Sequence, residues 1–269
     1  MAKINKQLIK GAKIMDRKMF EAGILAKKEE MKNEAHGEAL EMDKKRNELL
    51  TDVAAKKSEL AEIEGKPEIA TSSKKERTAA EKEMVKEWEN FLKDCFPEKQ
   101  FDLSGLDIPE RTPEEEKEFT RLQFRSGSLS NETLFQKCKE LFPTWKDTNE
   151  SLDDVVIKKD VKDSFIWVRN EEAADEKHKN KSADMIEKEG LKTENLSDRL
   201  LHELKYFKET GKHLDENTVT ITSARGAVGL VWIVRWFVGK LGVYRDDSDN
   251  RYDRLRPRQI VSSPTKSEK

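Results

Sequence analysis

Four histidines, His36, His178, His202 and His213, are the side chains best suited to general-base or metal chemistry in this chain. They lie far apart and form neither an H-x(3–5)-H nor an HExxH spacing, so no helical turn brings two imidazoles to one ion. His202 falls beside the apolar face of its expected helix and reads as a surface or edge residue. The acidic run DDSDNRYD (246–253) places Asp247 and Asp249 as a calcium loop begins. It lacks the glycine that turns such a loop, and Arg258 stands where the closing bidentate Glu belongs. Gly226 and Gly229 are followed by no Lys-Ser/Thr pair and open no helix, which excludes a phosphate loop. Ser182 and Ser223 have no nucleophile-elbow context. Cys95 and Cys138 form no C-x-x-C pair and read as reduced, part-buried thiols with a packing role. The residues therefore point to no catalytic set, no cofactor site and no metal site.

Two concentrations of cations are better candidates for binding. Lys3, Lys6, Lys10, Lys13 and Arg17 recur every three or four residues, which places them on one helix face beside Leu8, Ala12, Met15 and Met19. A basic amphipathic helix of this kind lies on anionic lipid, contacts nucleic acid or faces an acidic partner. It serves equally as the solvated flank of a coiled-coil seam. The second concentration is Arg225, Arg235, Arg245, Arg251, Arg254, Arg256 and Arg258. Arginine forks match phosphate and carboxylate geometry and stack on rings. With Trp232, Trp236 and Tyr244 nearby, Arg225, Arg245, Arg251, Arg254, Arg256 and Arg258 are candidate contacts to single-stranded nucleic acid or another anionic partner. The competing reading buries the tryptophans in a small core and pairs the arginines with Asp246, Asp247, Asp249 and Asp253.

The elements that would position these residues follow from composition and period. Charged residues make up 39% of the 269 and hydrophobic residues 35%, too few apolar side chains for one ordinary core of that size. The expected fold class is α+β, predominantly helical. Residues 1–96 read as an extended helical hairpin or coiled coil, 97–150 as a small helical connector, 151–262 as a compact α+β module with a short antiparallel sheet, and 263–269 as a disordered tail. Within the first segment, Ala35, Met42, Leu49 and Ile63 share one heptad position and Ala39, Val53 and Leu60 another. A second helix is expected from near Ser73 or Thr78 to about Asp94, with Met84, Val85, Trp88, Phe91, Leu92 and Cys95 as its face.

In the connector, Thr112-Pro113-Glu114-Glu115 starts a helix that would carry Phe119, Leu122 and Phe124. Ser130 caps the next, which Pro143 ends, and Trp145 joins the same small apolar cluster. VVIKK and SFIWVRN read as a hairpin of two strands, and the stretch EEAADEKHKNKSADMIEKEG as helix. SDRLLHELKYFKETG is an amphipathic helix capped by Ser197 and stopped by Gly211. TVTIT is a strand. Residues 228–238 and 241–245 pair across a Gly239-Lys240 turn. Both faces of 228–238 are apolar, so that strand should be covered on both sides.

The stretch LLHELKYFKETGKHLDENTVTIT, the tryptophan-bearing hairpin and the closing LRPRQIVSS resemble the C-terminal part of a group of uncharacterised bacterial proteins from uncultivated lineages. The resemblance runs from Asn180 to Ser263, and Ala224–Leu230 departs from the group's more polar version. It implies a bacterial origin and a C-terminal unit that recurs behind different N-terminal regions, and it carries over no functional residue. No run is long enough to span a bilayer, so integral membrane insertion is not expected, and the N-terminus lacks an export signal. The functional expectation is a cytoplasmic interaction or scaffold protein. Residues 1–96 would bind a protein partner or self-associate, and the C-terminal module would bind a second partner. The alternative is a nucleic-acid binder using the Arg-rich segment.

Overall fold

A computed structural model describes residues 76–157, 161–227 and 229–263. Helix α1 (Ala79–Cys95) begins at a capping box in which Thr78 accepts from Glu81 N and Glu81 returns to the Thr78 backbone. The same device, Thr112 with Glu115, starts α2 (Pro113–Glu118). Ser130 caps α3 (Asn131–Leu141). Short α4 (Leu152–Val155) starts at Ser151 and short α5 (Ala183–Lys188) at Ser182. Helix α6 (Leu196–Thr210) is capped by Asn195, two residues before the expected Ser197, and ends on Gly211 with φ +69°.

The strands are β1 (Arg121–Arg125), β2 (Thr144–Lys146), β3 (Ser164–Val168), β4 (Val219–Arg225), β5 (Leu230–Phe237), β6 (Lys240–Asp247), β7 (Leu255–Pro257) and β8 (Val261–Ser262). They form two sheets, one ordered β1-β3-β8 and one ordered β2-β6-β5-β4-β7. Helix α6 touches β1 of the first and β4 and β5 of the second.

The predominantly helical class expected from sequence is corrected here: the described region is a mixed α/β fold with two sheets. Residues of the expected connector and module share one core. Trp88, Phe124, Phe135, Trp167, Leu204, Trp232 and Val261 all belong to it. The face of α1 packs there too, with the Trp88 indole N–H donating to Leu122 O at 2.9 Å. The heptads of residues 35–63, and the basic face of Lys3 to Arg17, lie outside the described residues.

Three local expectations also change. Phe119, Leu122 and Phe124 do not ride on α2, which stops at Glu118; Leu122 and Phe124 sit on β1, where alternation aims them at the core. SFIWV is strand β3, but its partner is β1, in register from Arg121↔Val168 to Arg125↔Ser164, not VVIKK, whose start belongs to α4. The helix expected over 171–190 shrinks to one 3-10 turn (Glu176–His178) and α5.

Strand β5 is the centre of the second sheet. Trp232 and Val234 face the main core, and Val231 and Ile233 face a second cluster with Ala183 and Ile186 of α5. By alternation Arg235 and Phe237 continue that second face. Helix α5 covers the β4–β7 side of it, and Phe237 is half exposed.

Candidate functional site

The densest polar chemistry is a fully buried ionic network around α6. Arg199 donates through Nε (3.0 Å) and Nη2 (2.8 Å) to Asp215 and through Nη1 (2.8 Å) to Glu203. Arg258 reaches Asp215 Oδ1 at 2.7 Å and Thr220 Oγ1 at 3.1 Å. Burial alone would raise the Asp215 carboxyl; Arg258 and Arg199 overcome it and hold the group below the usual carboxylate range. His202, expected at an edge, is buried: β1 covers the side of α6 that the sequence left open. Its Nδ1 lies 2.8 Å from Glu194 Oε1. Burial pushes Glu194 up to about 7 and pushes His202 well below its ordinary value, the latter helped by Arg121, Arg258 and Arg199.

This network has the composition of an active site and the accessibility of a core. Arg199, Glu203, Asp215 and Glu194 are each 0% exposed, so no substrate reaches them. One branch of it runs to the end of strand β5. Glu203 holds His213 (Oε1 to Nδ1, 2.8 Å), and the imidazole stacks flat on Trp236, 3.3 Å between centroids and 4° between planes. Asp215 O accepts from Trp236 N at 3.3 Å, and Pro143 O accepts from Leu241 N at 2.9 Å. The buried charges thus fix the residue that precedes the tip of the β5–β6 hairpin.

That tip differs from the expected one. The strands pair up to Phe237↔Lys240, so the two loop residues are Val238 and Gly239, with φ +51° and +72°, not Gly239 and Lys240. Positive φ at both central positions is the pattern of a type I′ turn, which Asn-Gly or Asp-Gly forms best. Val238 is 75% exposed, Phe237 51% and Trp145 50%.

Trp145 lies on edge strand β2, paired in parallel with β6 at Gly242, and Gly242 pairs with Arg235 on β5. All three therefore belong to one row across the same sheet face. The Tyr244 ring leans over Gly242, where an added Cβ would meet its Cε1 at 3.5 Å. It also lies 6.0 Å from the Trp145 ring. The Arg235 guanidinium stands 3.8 Å above Phe237 and 5.9 Å from Tyr244. Trp145, Tyr244, Arg235 and Phe237 form one continuous row of rings and a cation that ends at an apolar turn.

The candidate arginines have other neighbours. Arg225 pairs with Glu187 and Arg245 with Asp147 (3.0 Å). Arg256 pairs with Glu176, and Arg258 with Asp215 inside the core. Arg251 Nη1 lies 3.9 Å from Met185 Sδ, and Arg254 is exposed. Trp232 is buried on the opposite sheet face from the exposed row, so it takes no part in it. Sequence reasoning places Trp145, just after Pro143, in a small apolar cluster, whereas it stands half exposed on β2. The same reasoning absorbs Phe237 and Val238 into an apolar run. The available signal was a valine directly before Gly239, where turn chemistry asks for Asn or Asp.

A recess of about 350 Å³ opens between the first turns of α3 and α6, lined by Ser130, Asn131, Asn195, Ser197, Val156 and Ile157 among others. Among the described residues no group of His, Cys, Asp or Glu is placed to hold a metal ion. No helix among them is long and apolar enough to cross a membrane. No protein-family model, curated protein or solved structure matches the chain.

Proposed function

We propose that this chain is a non-catalytic cytoplasmic interaction protein that docks on a partner surface through the Phe237–Lys240 tip and the aromatic row beside it. One observation carries the reading. Val238 is β-branched, has a left-handed backbone and is mostly exposed. Left-handed geometry costs an ordinary L-residue roughly 1–2 kcal/mol, and Asn or Asp escapes much of it. Neither the turn nor the core gains from valine there. A local conflict of this kind, without compensation inside the fold, is the mark of a residue kept for an external contact. The network behind Trp236 supports the same reading, because it holds the tip in one geometry before any partner arrives, which lowers the ordering cost of binding.

The nucleic-acid reading has less behind it. Arg225, Arg245, Arg256 and Arg258 are engaged by carboxylates of the same chain. A photoreactive phenylalanine analogue at position 237, activated in cells, tests the docking reading. The expected result is an adduct, to protein or to lipid, that is absent when the probe stands at Glu89 and lost on Val238→Asp. Equal labelling from both positions would overturn it.

A further inference from the structure

We propose that the surface taken by the hairpin tip is an anionic lipid bilayer; this deepens the docking reading above and rests on it. Four observations favour lipid over a folded partner.

The first is shape. The last pair of the ladder is Phe237↔Lys240, and only Val238 and Gly239 lie beyond it, so the apolar apex is a protrusion rather than a groove. A protruding apex needs no preformed pocket in a fluid apolar phase.

The second is order along the strands. Val238 and Phe237 come first, with Lys240 opposite Phe237. Arg235 and Trp145 follow one row back, about 7 Å at 3.3–3.4 Å per residue, and Tyr244 comes behind them. An apolar apex ringed by cations and amphipathic aromatics suits the boundary between acyl chains and headgroups. An interfacial element buries its apolar side about 5–10 Å deep, its Lys and Arg stems extend toward the headgroups, and Trp and Tyr sit at the boundary.

The third is charge. Around the tip, from Leu230 to Tyr244, the chain has no Asp or Glu and carries Arg235 and Lys240; farther back Arg245 pairs with Asp147, and Asp246 and Asp247 end the strand. The tip end of the hairpin is thus cationic, the complement of an anionic surface. The fourth is scale. A tip of two apolar residues and two cations gives reversible attachment, not insertion, in agreement with the lack of a spanning helix among the described residues.

Flotation of the full-length chain with vesicles provides the test. The vesicles are phosphatidylcholine alone, or phosphatidylcholine with about a third phosphatidylserine. Each cation held near such a surface contributes about a fivefold change in partitioning. Binding is expected to the mixed vesicles, at least fivefold weaker to phosphatidylcholine alone, and weakened about fivefold by Lys240→Gln. Phe237→Ser and Val238→Asn should each reduce it further. Val238→Asn suits the turn better than the parent residue, so its loss of binding cannot be a loss of folding.

The mixed vesicles failing to bind the parent chain, or binding Val238→Asn as well as the parent, would overturn the inference. Binding that survives every tip variant would assign the contact to another part of the chain, such as the basic residues Lys3 to Arg17, and would overturn it equally. A protein adduct from position 237 together with no vesicle binding would reject the lipid and leave the docking reading standing.

Discussion

Arg199 and Asp215 hold each other through two nitrogens on one carboxylate oxygen, Nε at 3.0 Å and Nη2 at 2.8 Å from Oδ2, with both side chains wholly buried. Asp215 also accepts from Arg258, so one carboxylate stands between two guanidinium groups. Removing one member of such a set leaves an uncompensated charge in a low-dielectric interior, at a cost of about 3–5 kcal/mol. Asp215→Ala is expected to lose that much in urea denaturation, while Glu89→Ala on the exposed side of α1 stays within about 0.5 kcal/mol. Arg258→Ala should behave like Asp215→Ala. An arginine read from sequence as a nucleic-acid contact would then reveal itself as part of the core.

The pair Glu194–His202 makes a prediction about pH. The folded-state value of Glu194 is raised, to about 7, so its contribution is present in full below the unfolded value near 4.5 and is lost as pH rises through 7. The value of His202 is lowered, so its contribution is present above about 6.5 and is lost as pH falls. Between roughly pH 4.5 and 6.5 the two slopes oppose each other, and this pair contributes little net dependence. Glu194→Gln removes the falling slope and leaves the rising one. The difference in stability between variant and parent should therefore move in favour of the variant as pH rises from 4.5 to 6.5, by up to about 1.4 kcal/mol per unit. Denaturation midpoints measured across that window for both proteins decide it; parallel curves would show that the pair is not coupled in this way.

The parts of this fold written in local chemistry were legible. Thr78, Thr112 and Ser130 cap helices because a hydroxyl three residues ahead of an orphan N–H serves any context, and Gly211 ends α6 because a left-handed residue was needed there. What depended on distant partners was not. Leu122 and Phe124 fit a helix stripe as well as a strand face, and only β3, some forty residues on, makes them strand. His202 reads as marginal from sequence because only one sheet is expected beside α6; the three-stranded sheet, through β1, also packs on that helix.

The docking row was illegible for the same reason. Trp145, Tyr244, Arg235 and Phe237 come from three strands, and their adjacency is a matter of register: Trp145 meets Gly242 in parallel while Arg235 meets the same Gly242 from the other side. No periodicity in the sequence encodes that junction.

Gly127 offers a prediction about backbone crowding. Its N–H donates to Asp163 Oδ1 at 2.7 Å, and an added Cβ would stand 2.2 Å from Val161 O. A backbone oxygen cannot swing aside as a side chain does, so Gly127→Ala must push apart the turn after β1 and the approach to β3. The expected cost is about 1–3 kcal/mol. Hydrogen exchange should quicken at Gly127 and Leu129 before it does in α6. Unchanged exchange there would show that the two segments have room to spare.

The turn at Val238 predicts a gain. Its φ of +51° and that of Gly239, +72°, define a turn for which Asn-Gly is the preferred pair. Valine loses twice, through the clash of its Cβ in left-handed geometry and through the restriction of a branched side chain. Its side chain is 75% exposed, so asparagine sacrifices little burial in exchange. Val238→Asn should stabilise the chain by about 1 kcal/mol, a rise of about 2–4 °C in Tm for a unit of this size. Val238→Gly relieves the same clash but gives the unfolded chain more freedom, so its gain should be smaller. Val238→Ile retains both penalties and should match the parent. Calorimetry on the three variants tests the order Asn above Gly above Ile. If asparagine brought no rise, valine would be at ease in this turn, and its exposure would no longer need an external contact to account for it.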